Sequence, residues 1–301
     1  MPLEKRSYSP MVVKHIPEPI KRMYRQIRAL VLSLNLPKEG VFPQGELERK
    51  ASNDISIIVP IHNSPREVTA RCLHSLEVYA ANAEVILVND ASEVEANVLI
   101  MKNAAAGNGW RLIAHEKCLG HSRACEAGSR LATRKYLCLL NSDTVVTPWS
   151  WAGAKEVFDS DPQIAVVGPS TSSAATQQTI RRADYCRYYW TDAQIYEFAR
   201  RYVGKQASRS WVNLVVIGGF AFFIRRSVWE EMGGFDPKLP DYGNEGELCR
   251  RVAKRGFRMV WTRNSYIHHF GKQDYGRTMS KHAITQRASD AHEYIRSLYR
   301  E

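Results

Sequence analysis

This sequence has no long apolar run. No stretch approaches the roughly 20 consecutive apolar residues that a bilayer-crossing helix needs, so no transmembrane span is expected. The first ten residues, MPLEKRSYSP, contain no apolar core, and no secretory leader is expected there. Cysteine is sparse and unpatterned: Cys72, Cys118, Cys125, Cys138, Cys186 and Cys249 form no CxxC pair and no regular spacing. That speaks against a disulfide framework and for reduced thiols in a cytoplasmic protein. Neither a GxGxxG nor a GxxxxGK loop follows the first apolar strand, so the usual backbone cradle for a phosphate is missing. There is no internal repeat and no low-complexity tract.

What remains is ordinary globular material with a basic surplus. The 301 residues are 44% hydrophobic and 24% charged, enough for a sizeable core in one large or two small domains. The formal net charge is +11. Residues 1–52 hold ten Lys/Arg against five Asp/Glu, and residues 181–210 hold seven against three. Such a balance favours nucleotides, phosphorylated lipids, membrane surfaces or nucleic acid as partners, without choosing among them.

Four segments are expected. Residues 1–52 form a basic N-terminal extension. A helix should begin near Pro19, because Ile20, Met23, Tyr24, Ile27, Leu30, Val31 and Leu34 recur at helical spacing. Residues 20–34 either pack on their own domain, the plainer reading, or rest on an anionic membrane surface. Residues 36–54 read as a linker. From Asp54 strands alternate with helices: ISIIVP, EVILVND, WRLIAHE and KYLCLL as strands, with SPREVTARCLHSLEVYA, SEVEANVLIMKNAA and GHSRACEAGSRLA between them. Ser64 is the expected cap of the first of these helices. The pattern predicts an α/β fold, a doubly wound, mostly parallel sheet, with one half over 53–150 and a second over 151–272. Residues 273–301 form a terminal helix with Ala288, Ala291, Ile295 and Leu298 as its apolar stripe, packed on the domain or pairing subunits in a homo-oligomer.

In such sheets ligands sit at the carboxyl ends of the strands. Three of these ends are polar: PIHNS, NDAS and NSDT. The last closes LCLLNSDT, where an apolar run stops at Asn141, Ser142 and Asp143. Without a phosphate loop, a bound diphosphate needs a divalent cation held by a carboxylate, and Asp143 is placed to supply one.

These stretches, in this order, resemble the family 2 inverting glycosyltransferases of the GT-A fold, from about Asp54 to about Gly271. SIIVPIHN looks like the family's opening strand, and VNDAS like its V-D-D-G-S. CLGHSRACEAG is similar to N-x-G-x-x-x-A-R-N-x-G, and NSDT to the D-x-D metal motif in an N-x-D form. GGFAFFIRRSVWEEMGGFDPKLPDYGNEGELCRRVAKRG resembles the G-G-F-D … E-D-x-D-L-C-x-R-x-x-x-x-G segment, with Leu248, Cys249, Arg251 and Gly256 in register. Asn89, Asn141 and Asn244 stand where the family has acids, and Cys118 and Glu126 where it has asparagines.

The resemblance implies a GT-A sheet in which a nucleotide-binding half is fused to an acceptor-binding half. It implies a sugar nucleotide donor (UDP-, dTDP- or GDP-linked) with Mn²⁺ or Mg²⁺, and transfer with inversion. Nucleotide contacts would fall to Pro60, Asn63, Asp90, Gly120, Arg123, Asn141 and Ser142. The metal would fall to Asp143 with His268 of YIHHFG, or alternatively His269. Glu245 would be the general base, with Gly218, Gly219, Glu247 and Trp211 near the donor sugar and acceptor. The expected acceptor is a lipid-linked saccharide of surface polysaccharide assembly, reached by an enzyme at the inner face of the membrane. A second reading takes a hydroxylated base in DNA as acceptor, flipped out of the helix. A third, prompted by the three lost acids, is an inactive sugar-nucleotide-binding module.

Overall fold

The computed structural model describes residues 42–180, 191–271 and 280–299, with positions 17, 19 and 23. The basic helix expected over 20–34 (Met23 apart), the stretch RRADYCRYYW and residues 272–279 lie outside the described residues.

Four apolar runs form the parallel half of the sheet: β1 (Ile55–Ile61), β2 (Glu84–Asn89), β3 (Arg111–Ala114) and β4 (Tyr136–Leu140). Every residue of β1 and β4 is buried, as expected of strands covered by helices on both faces. Helix α1 (Glu46–Ser52) leads into β1, and three helices return the chain between the strands: α2 (Arg66–Tyr79) after β1, α3 (Glu95–Asn108) after β2 and α4 (His121–Ser129) before β4. The second half adds α5 (Ala152–Ser160), β6 (Ile164–Ser170), α6 (Asp192–Val203), β7 (Trp211–Leu214), β8 (Ala221–Arg225), α7 (Arg226–Met232), α8 (Asn244–Lys254) and β9 (Arg258–Tyr266). One eight-stranded sheet runs through both halves in the order β3-β2-β1-β4-β8-β6-β9-β7. β8 is antiparallel to both β4 and β6, while β9 returns parallel to β6. A separate two-stranded ribbon pairs β5 (Thr144–Val145) with β10 (His268–His269). Helix α9 (Lys281–Leu298) closes the described chain. No helix among the described residues is long and apolar enough to cross a membrane.

Two local expectations change. Ser64 does not cap α2. Pro65 takes the N-cap position in extended geometry, and the Ser64 hydroxyl bonds Ser142 Oγ at 2.8 Å instead. The linker expected over 36–54 is helical from Glu46. Its amphipathic ELERKAS turn buries Ala51 and carries Glu48 to the start of α5. There Glu48 Oε2 accepts the N–H groups of Trp151 (2.8 Å) and Ala152 (3.0 Å), placing a carboxyl at a helix N-terminus that needs acceptors. Trp151 itself is buried and donates its indole N–H to Tyr79 O.

Burial pushes the Glu48 pKa up to about 8, against the pull of those two N–H groups. A carboxyl whose folded pKa exceeds its unfolded one stabilises the fold while protonated. That stability is lost as pH rises from about 4.5 through about 8. Glu48→Gln keeps the acceptor oxygen without the charge. Its melting temperature should therefore fall less than the wild type's over that window. Calorimetry across the range checks this; parallel curves would show that Glu48 is charged throughout.

Candidate active site

The polar end of β4 is held from several sides. Asn141 N donates to Phe220 O (3.0 Å), Thr144 Oγ1 donates back to Asn141 O (2.8 Å), and Ser142 is locked to Ser64. Asp143, fully buried, follows directly. Its carbonyl accepts from Phe270 N (2.9 Å), and the β5–β10 ribbon sets His269 opposite Thr144 and His268 opposite Val145.

Successive residues of a strand face opposite sides, and the ribbon gives the two histidines different neighbours. His269 Nε2 lies 3.0 Å from Asp143 Oδ1. His268 is fully buried, with Nδ1 3.0 Å from the Tyr266 hydroxyl. His269, the alternate ligand of the sequence reading, is thus the one brought to Asp143. Its Nδ1 lies 2.6 Å from Ser173 O. A carbonyl only accepts, so Nδ1 carries a proton, and Nε2 is turned to a carboxylate oxygen. Two electron pairs at that separation call for a cation between them or beside them, a proton or a metal ion. Carboxylate oxygen with imidazole nitrogen is a donor set that Mn²⁺ accepts, and Mg²⁺ favours the oxygen. The residues fit a divalent cation.

Glu245 stands in the first turn of α8, whose N-cap Gly243 has φ +77°. Glu245 N is capped by Asn244 Oδ1 (3.0 Å), while Asn244 Nδ2 donates to Ser122 Oγ (2.9 Å). The Glu245 carboxyl lies against Gly219: a Cβ there would come within 1.7 Å of Oε1. Gly218 is fixed by its N–H to Gln178 Oε1 (2.7 Å). Asn141, Gly218, Gly219, Glu245 and His269 together line a cleft of about 330 Å³, completed by apolar Ala174, Val216, Ile217 and Phe220. Burial pushes the Glu245 pKa up to about 7, the single N–H bond opposing it only in part.

Glu247 does not join this cleft. Its carboxylate is held by Arg251 at 2.6–2.9 Å and by the Tyr299 hydroxyl at 3.0 Å, on the far side of α8. Trp211 sits on edge strand β7, half-buried against the core.

In the parallel half of the sheet Asp90 is fully buried at the end of β2. Its carboxylate accepts from His115 Nδ1 (2.7 Å), Leu119 N (2.9 Å), Gly120 N (2.9 Å) and Cys118 Sγ (3.3 Å). Burial pushes this carboxyl up, but those donors outweigh it and the net shift is down. Gly120 takes φ +89° beside Pro240 and Asp241, where a Cβ would meet atoms at 3.0 Å. Asn63, also left-handed at φ +48°, accepts from Glu93 N and donates its own N–H to Ser92 Oγ. Pro60 is buried inside β1 opposite Val88. Arg123 is exposed and pairs with Glu126. Sequence reasoning missed His115 and Gln178. His115 lies at the end of the predicted strand WRLIAHE and was visible in principle; Gln178 carried no local signal.

Residues 56–232 match the family model for glycosyl transferase family 2. The chain belongs to that family. The match ends before Glu245 and His269, so it bears on the first half of the site alone. Among curated proteins, the uncharacterized protein y4gI of Sinorhizobium fredii (strain NBRC 101917 / NGR234) is 25% identical over 126 residues. That alignment covers 40% of this chain and 14% of that protein. Two solved structures share the fold, which is the GT-A fold. One is GalNAc-T7 with UDP, GalNAc and Mn²⁺: TM-score 0.55, 17% identity, 71% of this chain and 42% of that one. The other is the mannosyltransferase PcManGT of Pyrobaculum calidifontis with GDP-Man and Mn²⁺: TM-score 0.55, 16% identity, 92% and 71%.

The contact between Gly219 and Glu245 makes a sharp expectation. Gly219→Ala must displace the Glu245 carboxyl, and a misplacement on that scale costs on the order of 10²-fold in any turnover that uses it. The melting temperature should change little, since the carboxyl has the cleft to move into. Turnover within about twofold of the wild type would mean that the carboxyl's position does not matter.

Proposed function

We propose that this protein is a divalent-cation-dependent, inverting glycosyltransferase that moves a hexosyl or deoxyhexosyl group from a nucleoside diphosphate to the hydroxyl of a lipid-linked saccharide. The observation that carries the reading is the convergence of Glu245, His269, Asn141 and the Gly218–Gly219 backbone on one cleft, with Asp143 against His269. Both structural neighbours were captured with a nucleotide and Mn²⁺, which supports the donor and cation. The saccharide acceptor is favoured over a DNA base because the cleft's lining, among the described residues, carries no Lys or Arg to meet a phosphate backbone.

Asp143 and His269 would hold the cation, which when bound offsets the charge growing on the departing diphosphate. Glu245 takes the proton of the acceptor hydroxyl as its oxygen bonds to the anomeric carbon. The bond from that carbon to the diphosphate oxygen breaks, its electron pair leaving with the nucleotide. Burial beside these apolar walls raises its pKa to about 7, the range a base near neutrality needs. The Gly219 backbone leaves space for the acceptor at the carboxyl.

Two measurements test this. In a thermal-shift panel of UDP-, GDP-, dTDP- and CDP-sugars, one nucleotide should raise the melting temperature with Mn²⁺ and not without it. Asp143→Ala and His269→Ala should lose that shift, and His268→Phe should keep it. A nucleotide-dependent shift without any turnover would favour the inactive-module reading, and no shift with any nucleotide would count against both readings. Turnover should also follow the ionised form of Glu245, rising with pH through about 7 and falling below it. Glu245→Gln should lower turnover by on the order of 10²–10⁴. A flat profile across pH 6–8 would remove Glu245 from the base role.

A further inference from the structure

The loop ahead of Glu245 is held from one side by a single helix. Arg287 of α9 pairs with Asp241, whose side chain is 5% exposed. One helical face further along, Tyr294 donates its hydroxyl to Asp236 Oδ2 at 2.8 Å. The buried Ile295 places its Cδ1 2.8 Å from where a Cβ would stand on Gly243, with Ala291 and Leu239 beside it. Tyr299, just past the helix, reaches Glu247 Oε1 at 3.0 Å while its ring lies under Arg250 and Lys254. Residues 236, 241, 243 and 247 are therefore met by α9 or by Tyr299 just past it.

The other side of the same loop meets the parallel half of the fold. Ser122 N donates to Pro240 O (2.8 Å) and Ser122 Oγ to Leu239 O. His121 N points to the second oxygen of Asp241 at 3.4 Å. Gly120, the residue before it, donates to Asp90. Asp241 thus stands between the start of α4 and Arg287, two residues ahead of the glycine that opens the helix of Glu245.

We propose that the C-terminal helix is a positioning element for Glu245, acting through Asp241 and the 236–243 loop. This rests on the reading of Glu245 as the base. The contacts of α9 described above fall on the 236–243 loop; its part is to fix that loop from outside while α4 fixes it from inside. The carboxyl is then held where Gly219 leaves room for it, and the nucleotide and acceptor halves share one rigid connection. Loosening the outer contacts frees the loop without removing a group from the cleft.

The test uses the full chain with Arg287→Ala and Tyr299→Phe, both at the surface and mild enough to fold. Hydrogen exchange of peptides covering 236–247 should quicken by about tenfold in each variant, with β1 and β4 unchanged. Unchanged exchange in that loop overturns the proposal. The second arm follows release of nucleoside diphosphate from UDP-glucose, GDP-mannose, dTDP-glucose and CDP-glucose with Mn²⁺, water serving as acceptor. Arg287→Ala should lower kcat by about tenfold with KM for the nucleotide within about twofold, and Arg287→Lys should restore it. In a Glu245→Gln background Arg287→Ala should cost nothing further; additive losses overturn the proposal. Wild-type turnover by Glu245→Gln would instead refute the base assignment, while the exchange arm still decides whether α9 holds the loop.

Discussion

The site depends on a ribbon of two residues paired with two. The β5–β10 pairing carries a segment from the far end of the domain back to the end of β4, and without it Asp143 would be a buried carboxylate with no imidazole beside it. An isolated ionised carboxyl in such a place is costly and is paired or neutralised in practice. The ribbon is correspondingly over-determined. Phe270 N bonds Asp143 O, and Ser172 Oγ both accepts from His269 N (3.0 Å) and donates to His269 O (2.8 Å). Arg71 covers the Phe270 ring at 4.7 Å while pairing with Asp192 at the start of α6. His269, the proposed metal ligand, is thus tied through its neighbours on both sides.

The two carboxyls of the site have different surroundings. Asp143 faces the imidazole of His269. Glu245 faces a glycine backbone and apolar walls and has no cationic side chain in its cleft among the described residues. The second environment makes the charge expensive and pushes the Glu245 pKa up to about 7. In the proposed reaction the first carboxyl would serve electrostatic stabilisation and the second proton transfer. The lining glycines serve the second carboxyl directly, because any side chain at 219 would occupy its space.

Much of this was legible in the sequence, and the limits have definite causes. The four parallel strands are apolar runs bounded by turn residues, and their polar ends pointed to Asp143 before any coordinates. α6 was readable to the residue, since Thr191 and Gln194 form a capping box around DAQIYEFARRYV. The choice between His268 and His269 was not readable, because it depends on the register of a ribbon whose partner lies far away in sequence. Glu247 could have been separated from Glu245 beforehand: two residues along a helix lie about 200° apart, so both cannot face one cleft. Ser64 was read as a cap because its local pattern is a good one; a tertiary partner, Ser142, claimed its hydroxyl. α1 was lost in a Pro- and Gly-rich neighbourhood, although its buried Glu48 holds the start of α5.

The three asparagines that replace family acids have employment in the structure, and this bears on whether they mark decay. Asn89 Oδ1 accepts from Ser92 N (2.9 Å) and shapes the turn that holds Asn63. Asn141 lines the cleft beside His269. Asn244 both accepts from Glu245 N and donates to Ser122 Oγ, two roles that an ionised carboxylate cannot combine, since it has nothing to donate. An acid at 244 would also set a second negative charge against Glu245 and raise its pKa further, beyond a useful range for a base near neutrality. With a glutamate at 245 reaching further than an aspartate would, an amide beside it is the consistent choice. Decay leaves substituted positions without partners; here each substitution is joined to the turn, cleft or helix start that carries the remaining acids.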